Sequence, residues 1–117
     1  MNNNNKEPII YVNMLGEFSV TMNGKSIVDQ NNQAKKPWSL LEYLITYRER
    51  DIPVDELIDL FWWNETSNNP AGALKTLMFR VRKLLEPLGH PPQELVVQNR
   101  KTYGWTKKLK TITDTDR

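Results

Sequence analysis

After a polar start, residues 1–8, the chain enters short apolar runs. Residues 9–15 and 17–22 are rich in β-branched, aromatic and other apolar side chains, and Asn23-Gly24 supplies a hairpin turn before residues 25–28. This pattern predicts a small antiparallel sheet. A polar stretch, 29–36, reads as a loop, and from Pro37 the period becomes helical: Trp38, Leu41, Leu44 and Ile45 recur on one face, predicting a first helix to about Arg48. Val54, Leu57, Ile58 and Phe61 repeat the i, i+3, i+4, i+7 spacing, with Asp55 and Glu56 suited to the positive end of a helix dipole, and the second helix ends near Trp62. After a polar linker, 63–69, Asn69-Pro70 pairs a preferred N-cap with proline at the first helical position. The third helix runs on until Pro87 stops it, and 88–92 is a loop. Residues 95–98 and 103–106 read as two short strands around a polar, basic turn. The expected organisation is a disordered start at 1–8, one α+β domain at 9–110, and a polar tail or start of a linker at 111–117.

The third helix has two faces. At about 100° per residue, Leu74, Leu77, Met78, Val81, Leu84 and Leu85 fall on one arc and form the buried stripe. The opposite face carries Gly72, Lys75, Thr76, Phe79 and Lys83, with Arg80 and Arg82 on its shoulders and only Glu86, near the end, as an acid. A merely solvated face usually mixes signs. A helix dressed this way suits a DNA major groove, where side chains meet base edges while arginines hold phosphates.

Charge counting sharpens this picture. Residues 1–74 hold 6 Lys/Arg against 10 Asp/Glu, residues 75–110 hold 9 against 2, and residues 111–117 hold 1 against 2. The positive charge is therefore concentrated in one third of a chain whose overall formal charge is only +2, an asymmetry that points to a polyanion partner rather than a neutral one. A solvated basic face is the plainer alternative. The apolar content and four tryptophans support a packed core in 117 residues, enough for one domain and too few for two. The absence of cysteine removes disulfides, thiolate metal sites and a cysteine nucleophile. No signal peptide or membrane-length apolar run is visible, so the expected location is the cytoplasm, with no membrane partner.

Three helices followed by a β-hairpin define a winged helix. Residues 15–27 (LGEFSVTMNGKSI), 38–45 (WSLLEYLI), 54–62 (VDELIDLFW), 73–85 (ALKTLMFRVRKLL) and 95–105 (LVVQNRKTYGW) together resemble the OmpR/PhoB-type DNA-binding domain. The Leu-Gly and Asn-Gly signals are most similar to the version at the N-terminus of antibiotic-regulatory-protein (SARP) and related bacterial activators, and about 90 residues are covered in the right order. The resemblance implies an N-terminal antiparallel sheet, a helix-turn-helix with a long connecting loop, a recognition helix at about 70–86 and a wing at about 95–106. It implies sequence-specific binding of double-stranded DNA by a bacterial transcriptional regulator, with the wing on the adjacent backbone or minor groove.

Carried over residue by residue, the family's Arg-Leu-Arg pattern falls on Arg80, Val81 and Arg82, which gives the arginines a phosphate and base contacting role and Val81 a core role. The helix contributes Lys75, Thr76, Phe79 and Lys83 to the same DNA-binding set, and the wing contributes Arg100, Lys101, Thr102 and Tyr103. The loop between helices two and three, with Trp63, Asn64 and Glu65, falls where the family commonly contacts RNA polymerase. Phe79 stands where a polar or basic residue is common, and the wing's usual Gly-Tyr order is reversed as Tyr103-Gly104. Neither a receiver domain nor a helical-repeat activator domain accompanies the 117 residues. The isolated domain is expected to be monomeric, with dimerisation left to DNA or to further domains.

An enzyme reading needs a reactive constellation, and none assembles from one histidine, no cysteine and no glycine-rich phosphate loop. His90 lies in a proline-rich loop without partner ligands and reads as a surface residue; no metal or cofactor is expected. Asp55, Glu56 and Asp59 flank an apolar stripe and read as a solvated face rather than paired catalytic carboxylates. Trp38, Trp62 and Trp105 are expected in the core, and Trp63, turned about 100° from Trp62, at the surface. The rival from another class is a winged helix used as a protein-interaction module, docking through an apolar patch of Trp63, Leu77 and Phe79.

Overall fold

The computed structural model describes residues 8–30, 35–62 and 69–115. The chain opens with β1 (Ile10–Asn13), β2 (Ser19–Met22) and β3 (Lys25–Val28). Asn23 and Gly24 both take positive φ, 53° and 79°, the mirror-image turn whose twist matches that of the strands it joins. Ile10, Val12, Val20, Met22 and Ile27 point inward and alternate with outward residues, as a half-buried sheet requires. A fourth strand lies in the stretch expected to be a tail: β7 (Thr111–Thr113) pairs parallel with β1, giving the order β3-β2-β1-β7. Its composition is polar, but its threonines have partners. Trp105 Nε1 donates to Thr111 Oγ1 at 2.8 Å, and the Asp114 carboxylate accepts from the Met14 and Leu15 amides at 2.8 and 3.0 Å. The assignment of 111–113 to a tail is thereby corrected.

Among the described residues four α-helices follow the first three strands: α1 (Lys35–Thr46), α2 (Val54–Trp62), α3 (Pro70–Leu85) and the single turn α4 (Pro92–Leu95). The inward stripe of α1, Trp38, Leu41, Leu44 and Ile45 together with Leu40, packs against Leu74, Leu77, Met78, Val81 and Leu85 of α3 in one continuous core. Leu84, expected in that stripe, is half-buried at its margin. Phe18 meets Trp38 edge to face at 5.8 Å, which joins the sheet to α1. Trp105 is buried as expected, whereas Trp62 is half-buried with Lys36 Nζ 4.6 Å from its ring centroid.

The hairpin is larger than two strands. β5 (Val96–Asn99) pairs with β6 (Thr102–Trp105), and β4 (Ile52–Pro53), just before α2, pairs with the other edge of β6. Strand β6 is thus the centre of a three-stranded sheet in the order β4-β6-β5. A two-residue strand carries no period to recognise, and the Pro91-Pro92 pair that marked a loop serves α4 as a start. The architecture is the expected winged helix with an N-terminal sheet. Its differences from expectation, among the described residues, are one more strand in each sheet, a 3-10 turn at Glu86–Leu88 that carries the chain on from α3 through Pro87, and the helical turn α4 before the wing.

Candidate nucleic-acid interface

Asn69 and Pro70 set the start of α3. The Asn69 side chain accepts the Gly72 amide at 3.1 Å, and Pro70 occupies the first turn, where a missing N–H costs nothing. The buried stripe then fixes the rotation of the helix, and Lys75, Thr76, Phe79, Arg80 and Lys83 are all exposed. Phe79 is 61% exposed, with Lys83 Nζ 5.8 Å from its ring centroid. Lys83 has a loose partner in Glu86 at 3.8 Å.

Arg82 behaves differently. It is half-buried and its Nη2 donates to Val96 O of β5 at 2.7 Å, while its Nε is buried with no hydrogen-bond partner among the described residues. Although it lies off the buried stripe, Arg82 is tied into the fold: it bolts α3 to the hairpin. Val81, one position earlier, is fully buried, as its assigned core role requires.

The hairpin turn consists of Arg100 and Lys101, both exposed, with Lys101 at φ 54°. Lys101 O accepts the Val54 amide at 2.9 Å, so the tip of the wing is anchored to the start of α2. Thr102 is half-buried beside the turn. Tyr103 is only 3% exposed, opposite Ile52 in the β4–β6 register. Its place among the surface contacts is corrected, because its side chain sits at the floor of a hollow, beside Met78 and Arg82 of α3. Burial also pushes the Tyr103 hydroxyl's pKa up. Trp63, Asn64 and Glu65 lie outside the described residues.

The fold divides the basic block. Lys75, Arg80 and Lys83 on α3 and Arg100 and Lys101 on the turn are exposed, whereas Lys107, Lys108 and Lys110 sit beyond the opposite end of β6, about 13 Å of strand away from the turn. There Lys107 Nζ pairs with the Asp51 carboxylate at 2.7 Å, and buried Leu109 pins the loop.

Between α3, α4 and β5 lies an open hollow of about 390 Å³. Lys75, Phe79, Arg82 and Lys83 form its α3 wall, with Glu86 just beyond the helix end, Gln93 and Gln98 form its far side, and Met78 and Tyr103 also line it. The two glutamines carry no signal in the sequence, since a lone amide on a loop or strand is unremarkable; only the packing of α4 and β5 against α3 brings them to the basic helix.

The carboxylates of α2 do not form a reactive pair. Glu56 accepts Arg50 Nη1 and Nη2 at 2.9 and 2.8 Å and Tyr43 Oη at 2.7 Å. The Arg50 hydrogen bonds first, then that of Tyr43, hold its pKa down to about 2. This acid ties α2 to α1 and the turn after it, a structural role that the solvated-face reading missed. His90 Nε2 lies 3.0 Å from Glu94 Oε1, and no group of three or more metal-ligating side chains occurs among the described residues. The apolar patch of the rival reading loses a member, because Leu77 is 5% exposed and belongs to the core. No helix among the described residues is long and apolar enough to cross a membrane.

Strand order, helix order and the closing hairpin define a winged-helix domain with an N-terminal sheet. The same fold occurs in Mycobacterium tuberculosis EmbR, solved in complex with a low affinity phosphopeptide, with a TM-score of 0.66 and 22% sequence identity over 86% of this chain. The match spans 26% of that longer chain. No family model and no curated protein matches the sequence.

Proposed function

We propose that this domain binds double-stranded DNA sequence-specifically as the reading head of a bacterial transcriptional regulator. The observation that carries the proposal is the exposed face of α3, where Lys75, Thr76, Phe79, Arg80 and Lys83 project with no acid among them. A recognition helix meets base edges with such a face while cations at its borders hold phosphates. Arg100 and Lys101, at a tip braced by Val54, reach the neighbouring backbone or minor groove, with Thr102 beside them. The fold shared with EmbR supports the assignment to a transcriptional regulator. On this reading the domain is non-catalytic, needs no cofactor and works in the cytoplasm. The 63–65 segment is the proposed contact for RNA polymerase, and dimerisation falls to DNA or to other parts of a longer protein.

A second reading rests on the exposed Phe79 ring, which suits a protein dock as well as a thymine methyl. Selected-site sequencing from a random duplex pool separates the two. The DNA reading expects an enriched motif whose thymine preference at one position weakens in Phe79→Ala; recovery of unenriched sequence by the wild type would exclude sequence-specific binding.

A further inference from the structure

Resting on the DNA reading above, we infer that Gln93 and Gln98 form an uncharged clamp on the phosphates of the DNA strand that borders the recognition helix. Both amides are exposed and line the hollow whose other wall is Lys75, Phe79, Arg82 and Lys83 of α3. Geometry assigns them to the backbone. An α-helix with its side chains is about 10–12 Å across and a B-DNA major groove about 12 Å wide, so α3 fills the groove and leaves no room beside it for α4 or β5. Groups that face α3 across a hollow therefore meet the rim of the groove, where the sugar-phosphate strand runs, and not the base edges at its floor. The hollow is open, and of its charged lining Lys75, Arg82 and Lys83 outnumber the single acid, Glu86, which sits 3.8 Å from Lys83; the net positive lining favours an anionic strand passing through it. Each glutamine offers two amide N–H groups as phosphate donors without carrying charge. Arg82 is the positioning residue: its hydrogen bond to Val96 O holds β5 against α3, two residues before Gln98.

An uncharged clamp has a signature that lysine and base contacts lack. Neutralising a phosphate releases counterions and steepens the salt dependence, whereas an amide donor adds affinity without changing it. A base contact changes the preferred sequence. The test is duplex binding by the full chain, wild type against Gln93→Ala/Gln98→Ala, over a series of salt concentrations and with site selection alongside; thermal melts confirm that both proteins are folded. The expected result is an affinity loss of about tenfold on every duplex, with the salt slope and selected motif unchanged. Gln98→Glu should lose more than Gln98→Ala, because it sets a carboxylate against a phosphate. Unchanged affinity in the double variant, a flattened slope or an altered motif would each overturn the clamp while leaving the DNA reading standing. Failure of the wild type to bind any duplex would remove that reading itself.

Discussion

Arg80, Val81 and Arg82 are consecutive, yet the rotation of α3 gives each a separate environment. Arg80 is exposed, so Arg80→Ala should leave the melting temperature almost unchanged while weakening DNA binding by about 1–3 kcal/mol. Val81 is fully buried, and Val81→Asp places an unpaired charge in the core, a loss of about 3 kcal/mol or more in denaturant unfolding. Arg82→Ala is expected to cost about 1.5–3 kcal/mol of stability, the range for a hydrogen bond from a charged donor, through its link to Val96 O. Equal melting temperatures for Arg80→Ala and Arg82→Ala would contradict the distinction drawn between them. The helical period showed which residues are buried, but whether a shoulder arginine is free depends on a strand 14 residues later, which the period of α3 does not encode.

At the scale of elements, strong local chemistry was legible and partnership was not. The Asn23-Gly24 turn and the Asn69 cap arise from contacts within a few residues, and the stripes of α1, α2 and α3 show as a local spacing of apolar side chains, so the sequence showed them. Strands β4 and β7 acquire their identity from the strands they join, β6 and β1, far away in sequence, and two or three residues carry too little pattern to announce them. Tyr103 was misplaced for a related reason, since its burial depends on β6 facing α3, far earlier in the chain, which the hairpin's own pattern does not encode. The wing turn itself is open, and Arg100→Glu/Lys101→Glu should reduce affinity on all duplexes alike and flatten the salt slope. A shifted sequence preference at constant slope would instead place the turn on bases.

Across the whole molecule, two ties that the sequence did not show hold the layers together. One is the Glu56 cluster between α2, Arg50 and Tyr43. Because the folded carboxyl titrates at about 2, below its ordinary value of 4.5, its contribution to stability is complete above pH 4.5 and is lost as the pH falls through about 2. Acid unfolding of Glu56→Gln should lack that component, and an unchanged dependence of stability on pH between 4.5 and 2 would contradict it. The other tie is β7, so truncation after Lys110 should lower the melting temperature, where a true tail would be removed without effect.

The separation of the basic block also bears on the central claim. Five exposed cations belong to the α3 and wing face, while the three lysines of the β6–β7 loop lie at the far end of β6. The most direct measurement is the affinity of the chain for a duplex as a function of salt. If all five cations neutralise phosphates, log K falls against log salt with a slope of roughly −4 to −5, from an affinity of about micromolar or better at low salt. An affinity for duplex DNA that is absent at low salt, or that does not respond to salt, would contradict the account.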